Sequence, residues 1–145
     1  MATEGRLVVV GADGSVQSVA ALKWAVEYAA ATGSKVRAVM ACHYPTAGGA
    51  APLGVAPEAV TDEVRAQMAE SLSKVVIEGA AGLDVEEEIA YGHPAQVLIE
   101  QSADADLLVV GSRGHGAFTG MMIGSVSIHC VTHSHCPVVV VRTDA

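Results

Sequence analysis

Aromatic and basic side chains are both scarce in this chain. One Trp, three Tyr and one Phe make up 3% of its 145 residues, although 51% of the residues are hydrophobic. A core of that composition has to be built from Val, Ala, Leu and Ile packed between layers, which points to an α/β sandwich. Lys and Arg number 8 against 16 Asp and Glu, a formal charge of −8, and the basic residues are spread along the chain. With no basic stripe to neutralise a phosphate backbone, nucleic acid and anionic membrane surfaces are excluded as expected partners. An acidic chain still holds a small polyanion where main-chain N–H groups and a helix N-terminus replace lysine.

Long hydrophobic runs are missing as well. No apolar stretch reaches the roughly 20 residues that a bilayer span needs. Residues Met1 to Arg6 lead into the short run Leu7 to Val10, which ends at Gly11 without a cleavage-site pattern, so no signal peptide is expected. Cys42, Cys130 and Cys136 are odd in number and have no framework spacing, which fits free thiols and a cytoplasmic protein. The length suits one domain, residues 1–145, able to bury roughly two-thirds of its unfolded surface.

What is present is an alternation of strand and helix patterns. Arg6 to Val10 is a continuous apolar run ending in glycine, the mark of a strand buried on both faces. Gly11 to Ser15 turns the chain, with Ser15 as N-cap, and Val19, Leu22, Val26 and Ala29 recur at helical spacing until Gly33. Val36 to Cys42 reads as a second strand and His43 to Pro57 as a loop. Val60, Val64, Met68, Leu72, Val75 and Val76 mark an amphipathic helix over Glu58 to Glu78.

Val85 to Tyr91 alternates with glutamates, as expected of an edge strand. Pro94 to Ala103 opens a helix with proline in its first turn. Leu107 to Val110 and Pro137 to Val141 read as the last two strands, and Ser125 to His133 as the helix between them. Five strands joined by right-handed crossovers give a parallel sheet with helices on both faces. Its ligand crevice is expected where the first and fourth strands end in glycine.

The stretch Leu107 to Ser127 carries the chemistry. Gly111 and Gly114 are separated by two residues, and nine more precede Gly124 and Ser125. Gly111 is expected to let its strand end in a tight turn, Gly114 to admit a ligand close to backbone, and Gly124 to leave the last helix open at its N-terminus. The N–H groups of Ser125, Val126 and Ser127, with the two serine hydroxyls, then face an anion. Arg113 is the one cation of the loop, either on a phosphate or solvated. No lysine follows the last glycine, so this is not a Walker loop, and it does not follow the first strand as a dinucleotide turn does. Asp13, just past the first strand, suits ribose hydroxyls or a water on Mg²⁺, or alternatively a cap for the first helix.

Gly-x2-Gly-x9-Gly-Ser resembles the ATP-binding motif of the universal stress protein family. VVVGADGS near the N-terminus, YGHPAQVLIEQSADADLLVVGSRG in the second half and CPVVVVR at the end extend the likeness over nearly the whole chain. The resemblance implies a sheet of order 3-2-1-4-5 and ATP, with or without Mg²⁺, across the ends of strands one, two and four. By position, Gly111, Arg113, Gly114, Gly124, Ser125, Val126 and Ser127 would surround ribose and phosphates. Ala41 would meet adenine through its backbone, and Ala12 and Asp13 would line the ribose. It also implies a homodimer joined through Val138 to Val141, a strand with no charge to discourage edge pairing.

Other constellations are set aside. His129, Cys130, His133, His135 and Cys136 lack the paired C-x-x-C of a zinc site. His115 reads as an exposed loop residue, and Phe118, Met121, Met122 and Ile123 as a hydrophobic patch. Rapid ATP hydrolysis needs a base and charge stabilisation beyond Arg113, so retention of nucleotide is expected over turnover. A slow ATPase or nucleotidyl transferase, a cyclic AMP or AMP binder, and a nucleotide-free interaction protein are the alternatives.

Overall fold

The computed structural model describes residues 6–13, 16–42, 62, 66, 70, 85–112 and 123–142. Its elements are β1 (Leu7–Gly11), α1 (Val16–Thr32), β2 (Lys35–Cys42), β3 (Val85–Tyr91), α2 (Pro94–Gln101), β4 (Leu107–Gly111), α3 (Ser125–His133) and β5 (Val138–Val141). All strand pairs are parallel, in the order β3-β2-β1-β4-β5. The α/β class, the strand order and the edge position of β3 are those expected from the sequence.

Strict alternation assigns each strand residue to one face. Val8, Val10, Val36, Ala38, Met40, Leu107 and Val109 join Ala21, Leu22, Ala25, Val26 and Ala29 of α1 in one core. Leu7, Val9, Val39, Leu108 and Val110 join Ala95, Val97 and Leu98 of α2 and Cys130 of α3 in the other. The apolar runs of β1 and β4 are therefore continuous because both of their faces are covered.

Local chemistry sets the ends of the elements. Gly33 takes φ +73° after α1, and the Ser34 N–H donates to the Ala29 carbonyl at 3.0 Å, closing the helix with the six-to-one bond of a Schellman turn. At the start of β1, Asp106 brackets Leu7. Its carboxylate accepts from the Leu7 N–H at 2.8 Å, and its own N–H donates to the Leu7 carbonyl at 2.9 Å. Arg37 of β2 donates to Glu86 of β3 at 2.8 Å and to the Gln101 carbonyl at 3.0 Å, joining strand edge to helix end. The Glu86 hydrogen bond raises the Arg37 pKa further, against the opposing effect of burial.

Differences from the sequence reading fall at element ends. Gly11 and Gly111 are the last residues of their strands rather than turn residues, β2 begins at Lys35, β5 begins after Pro137, and α2 stops at Gln101. Of the expected helix over 58–78, Asp62, Ala66 and Glu70 are helical and exposed at steps of four, on the polar face the pattern assigns them. The rest of that segment and the 43–57 loop lie outside the described residues.

Candidate functional site

The hydrogen-bond ladders open a crevice in the middle of the sheet. Pairing of β1 with β4 stops at Val10 opposite Val109. On the outer sides the ladders continue: Gly11 pairs with Val39, and Gly111 with Val141. One residue further, the Ala12 N–H donates to the Val39 carbonyl and the Ser112 N–H to the Val141 carbonyl, each at 2.8 Å. The two halves of the sheet thus part company just past Gly11 and Gly111. This is the topological switch point, where chain connections leave in opposite directions.

Both flanking helices begin at this mouth. Leading into α1, the Asp13 N–H donates to the hydroxyl of buried Ser18 at 3.2 Å. The first turn of α1 then crosses over β4: a Cβ on Gly111 would lie 2.8 Å from the Gln17 carbonyl oxygen and 2.9 Å from its carbonyl carbon. The expected reason for glycine at 111, a tight turn, is therefore replaced by another. Gly111 is extended backbone, and what it provides is room for the helix.

On the other face, the Gly124 N–H donates to the Ser112 carbonyl, docking the start of α3 on the end of β4. Gly124 is the N-cap residue with φ −76°, a conformation open to any residue, and no side chain caps the helix. The first intrahelical bond is Ile128 N–H to the Gly124 carbonyl at 3.0 Å. Among the described residues no acceptor faces the N–H groups of Ser125, Val126 and Ser127, and no acidic residue occupies the first turn of α3 or α1. Two helix N-termini with their positive dipole ends thus flank the crevice.

The site residues divide by what they touch. Ser125 is exposed, so both its hydroxyl and its N–H are available. Val126 packs its side chain into the second core, leaving only backbone for a ligand. Ser127 is 3% exposed, and its hydroxyl donates to the Gly111 carbonyl. That proton is committed to holding α3 against β4, so Ser127 offers an anion its N–H and not the hydroxyl donor expected from the sequence. Ala41 lies in β2 opposite Ala90, and Ala12 is buried. Arg113 and Gly114 lie outside the described residues, as do His115, Phe118, Met121 and Met122. Exposed Ile123 is the described member of the expected apolar patch.

Sequence reasoning missed Ser18 and Ser112. Ser18 sits one position before the apolar Val19 of the helical pattern, and Ser112 lies inside the glycine motif as an unassigned residue, so neither spacing nor residue type singled it out. Among the described residues no three His, Cys, Asp or Glu side chains form a metal centre, and no helix is long and apolar enough to cross a membrane.

Fold and crevice together define a doubly wound α/β protein with the start of a helix, its first main-chain N–H groups without a described acceptor, at the switch point. The universal stress protein family model matches residues 6–142, and the chain belongs to that family. It is 33% identical over 147 residues to a universal stress protein of Mycobacterium tuberculosis, covering 94% of this chain and 48% of that protein. The chain spans about half the length of the curated relatives it matches. A universal stress protein solved in complex with cAMP superposes with a TM-score of 0.70 at 30% identity, over 94% of this chain and 96% of that one. One from Lactobacillus plantarum shares the fold with a TM-score of 0.72 at 23% identity, over 97% and 100%.

Proposed function

We propose that this chain is an ATP-binding regulatory module that acts by changing shape or partner when nucleotide binds. The observation that carries the reading is the uncapped N-terminus of α3, docked by Gly124 and Ser127 onto the end of β4 beside the parted strands. Three convergent N–H groups and the Ser125 hydroxyl suit phosphate oxygens. The ends of β1 and β2, with Ala12, Asp13 and Ala41, form the adjacent wall for ribose and base. Gly111 keeps the α1 side of the crevice in place, and Arg113 and Gly114 complete the phosphate loop. The relative solved with cAMP supports an adenine nucleotide as the ligand class. Mg²⁺ bound to the phosphates would sit near Asp13, supplying charge neutralisation.

The reading extends to a cytoplasmic homodimer joined through β5. The two outer strands of the described sheet differ in a way that favours this choice: β3 carries Glu86, Glu87 and Glu88, whereas β5 is four half-buried valines. Light scattering should give twice the chain mass.

Mass spectrometry of nucleotide released by denaturing freshly purified protein tests the ligand directly. ATP should be recovered from the wild type and lost from Gly114→Val and Gly124→Val variants that remain folded. Recovery of ATP at wild-type levels from both variants overturns the site, and recovery of AMP or cyclic AMP alone overturns the choice of ATP.

A further inference from the structure

The helix α3 and the start of α2 bring three exposed imidazoles together. His129 and His133, one helical turn apart, stack with ring centroids 4.5 Å apart and 27° between their planes. His93, the residue before α2, stands near His129 with centroids 6.5 Å apart. Although His93 occupies the N-cap position, its side chain makes no capping hydrogen bond. His133 is oriented by its own helix: its Nδ1–H donates to the His129 carbonyl at 3.3 Å. That tautomer leaves the lone pair on Nε2. Donation of the second ring N–H to a carbonyl is how proteins orient histidines that ligate metals.

We propose that His129 and His133 form a surface chelate for a divalent first-row transition ion, Zn²⁺ or Cu²⁺, with His93 as a third ligand that swings in on binding. Residues four apart share one face of a helix, so the pair requires no rearrangement of the backbone. Two imidazoles on a tetrahedral ion, each bound at roughly 2 Å, hold their ring centroids about 5 Å apart. The two rings stack nearly parallel at 4.5 Å, so a shared ion requires both exposed side chains to turn until their Nε2 lone pairs converge, and the 6.5 Å to His93 closes by the same kind of rotation. Imidazole selects these ions over Mg²⁺, which prefers oxygen ligands, so the site is independent of any metal on a nucleotide. The net charge of −8 raises the local cation concentration.

This ligand set differs from the one the sequence spacing brings to mind. Cys130 points into the core and is buried, and His93 comes from a different helix.

Calorimetric titration of untagged, nucleotide-free protein with Zn²⁺ or Cu²⁺ tests the proposal at pH 7.5, and for Cu²⁺ the electron paramagnetic resonance spectrum should show nitrogen ligands. One equivalent should bind tightly. His129→Ala and His133→Ala should each weaken binding at least tenfold, His93→Ala severalfold, and His135→Ala not at all. All four side chains are exposed, so the variants should fold as the wild type. Wild-type affinity in a His129→Ala, His133→Ala double variant, or an equal loss in His135→Ala, overturns the chelate. Unchanged affinity in His93→Ala overturns the third ligand.

Discussion

Ser127 donates its hydroxyl proton to the main-chain carbonyl of Gly111, 16 positions earlier, and so pins the first turn of α3 to the end of β4. A helical serine more often bonds back to its own preceding turn. Here the bond crosses between elements and fixes where the amides of Ser125 to Ser127 stand relative to the crevice. Ser127→Ala should destabilise the fold by about 1–2 kcal/mol, because it leaves a carbonyl without its partner, and Ser127→Thr, which keeps the hydroxyl, should recover most of the loss. Urea unfolding of the three proteins measures this. An alanine variant as stable as the wild type would show that the bond contributes nothing.

Gly11 and Gly111 look alike in sequence, yet they face opposite layers and should respond differently to a methyl group. At Gly111 the added Cβ meets the Gln17 backbone, which cannot yield without moving α1. At Gly11 it meets Leu98 Cδ1 at 2.9 Å, the far end of a side chain with other rotamers. Gly111→Ala should cost about 1–3 kcal/mol by overpacking, and Gly11→Ala clearly less. Equal losses in thermal or urea unfolding would contradict the packing described.

These two glycines also show how far the sequence is legible. The apolar runs at β1 and β4, the helical spacing of Val19, Leu22, Val26 and Ala29 and the glutamates of β3 sufficed for the α/β class and for β3 at an edge, because burial on one face or two is written in periodicity. The strand order followed from the family resemblance instead. The purpose of Gly111 was not legible, since it depends on where the first turn of α1 crosses the sheet. The Ser127 to Gly111 bond, the Asp106 bracket on Leu7 across 99 positions and the meeting of His93 with His129 are likewise products of tertiary packing. Residue type announces a donor or acceptor and leaves its partner undetermined.

Arg37 holds three elements through contacts that a neutral side chain cannot replace. Its bonds to Glu86 and to the Gln101 carbonyl at the C-terminus of α2 place a cation where the helix dipole favours one. Arg37→Met should cost about 1–2 kcal/mol, since a charged hydrogen bond to a partly buried carbonyl is lost. Added salt should narrow the difference only slightly if the carbonyl bond dominates. A difference abolished by salt would assign the effect to the exposed Glu86 pair.

Cys130 should be chemically silent in the native state. Burial raises its pKa to about 11, so its thiolate remains a small fraction up to about pH 10. Alkylation by iodoacetamide, followed by peptide mass spectrometry, should therefore spare Cys130 until the protein unfolds. The sign for stability follows. An unfolded thiol ionises near 8.5 while the folded one keeps its proton, so this group's contribution is intact below that pH and falls as pH rises from there toward 11. Rapid native labelling of Cys130 at pH 8 would contradict its burial.

The central claim is that main-chain amides at the start of α3 bind the phosphates of an adenine nucleotide. Calorimetric titration of one nucleotide-free preparation with ATP and with adenosine tests it most directly. The account predicts ATP binding at least 100-fold tighter than adenosine, roughly 2.7 kcal/mol of phosphate-dependent affinity. Equal affinity for the two, or no heat with either, would contradict it.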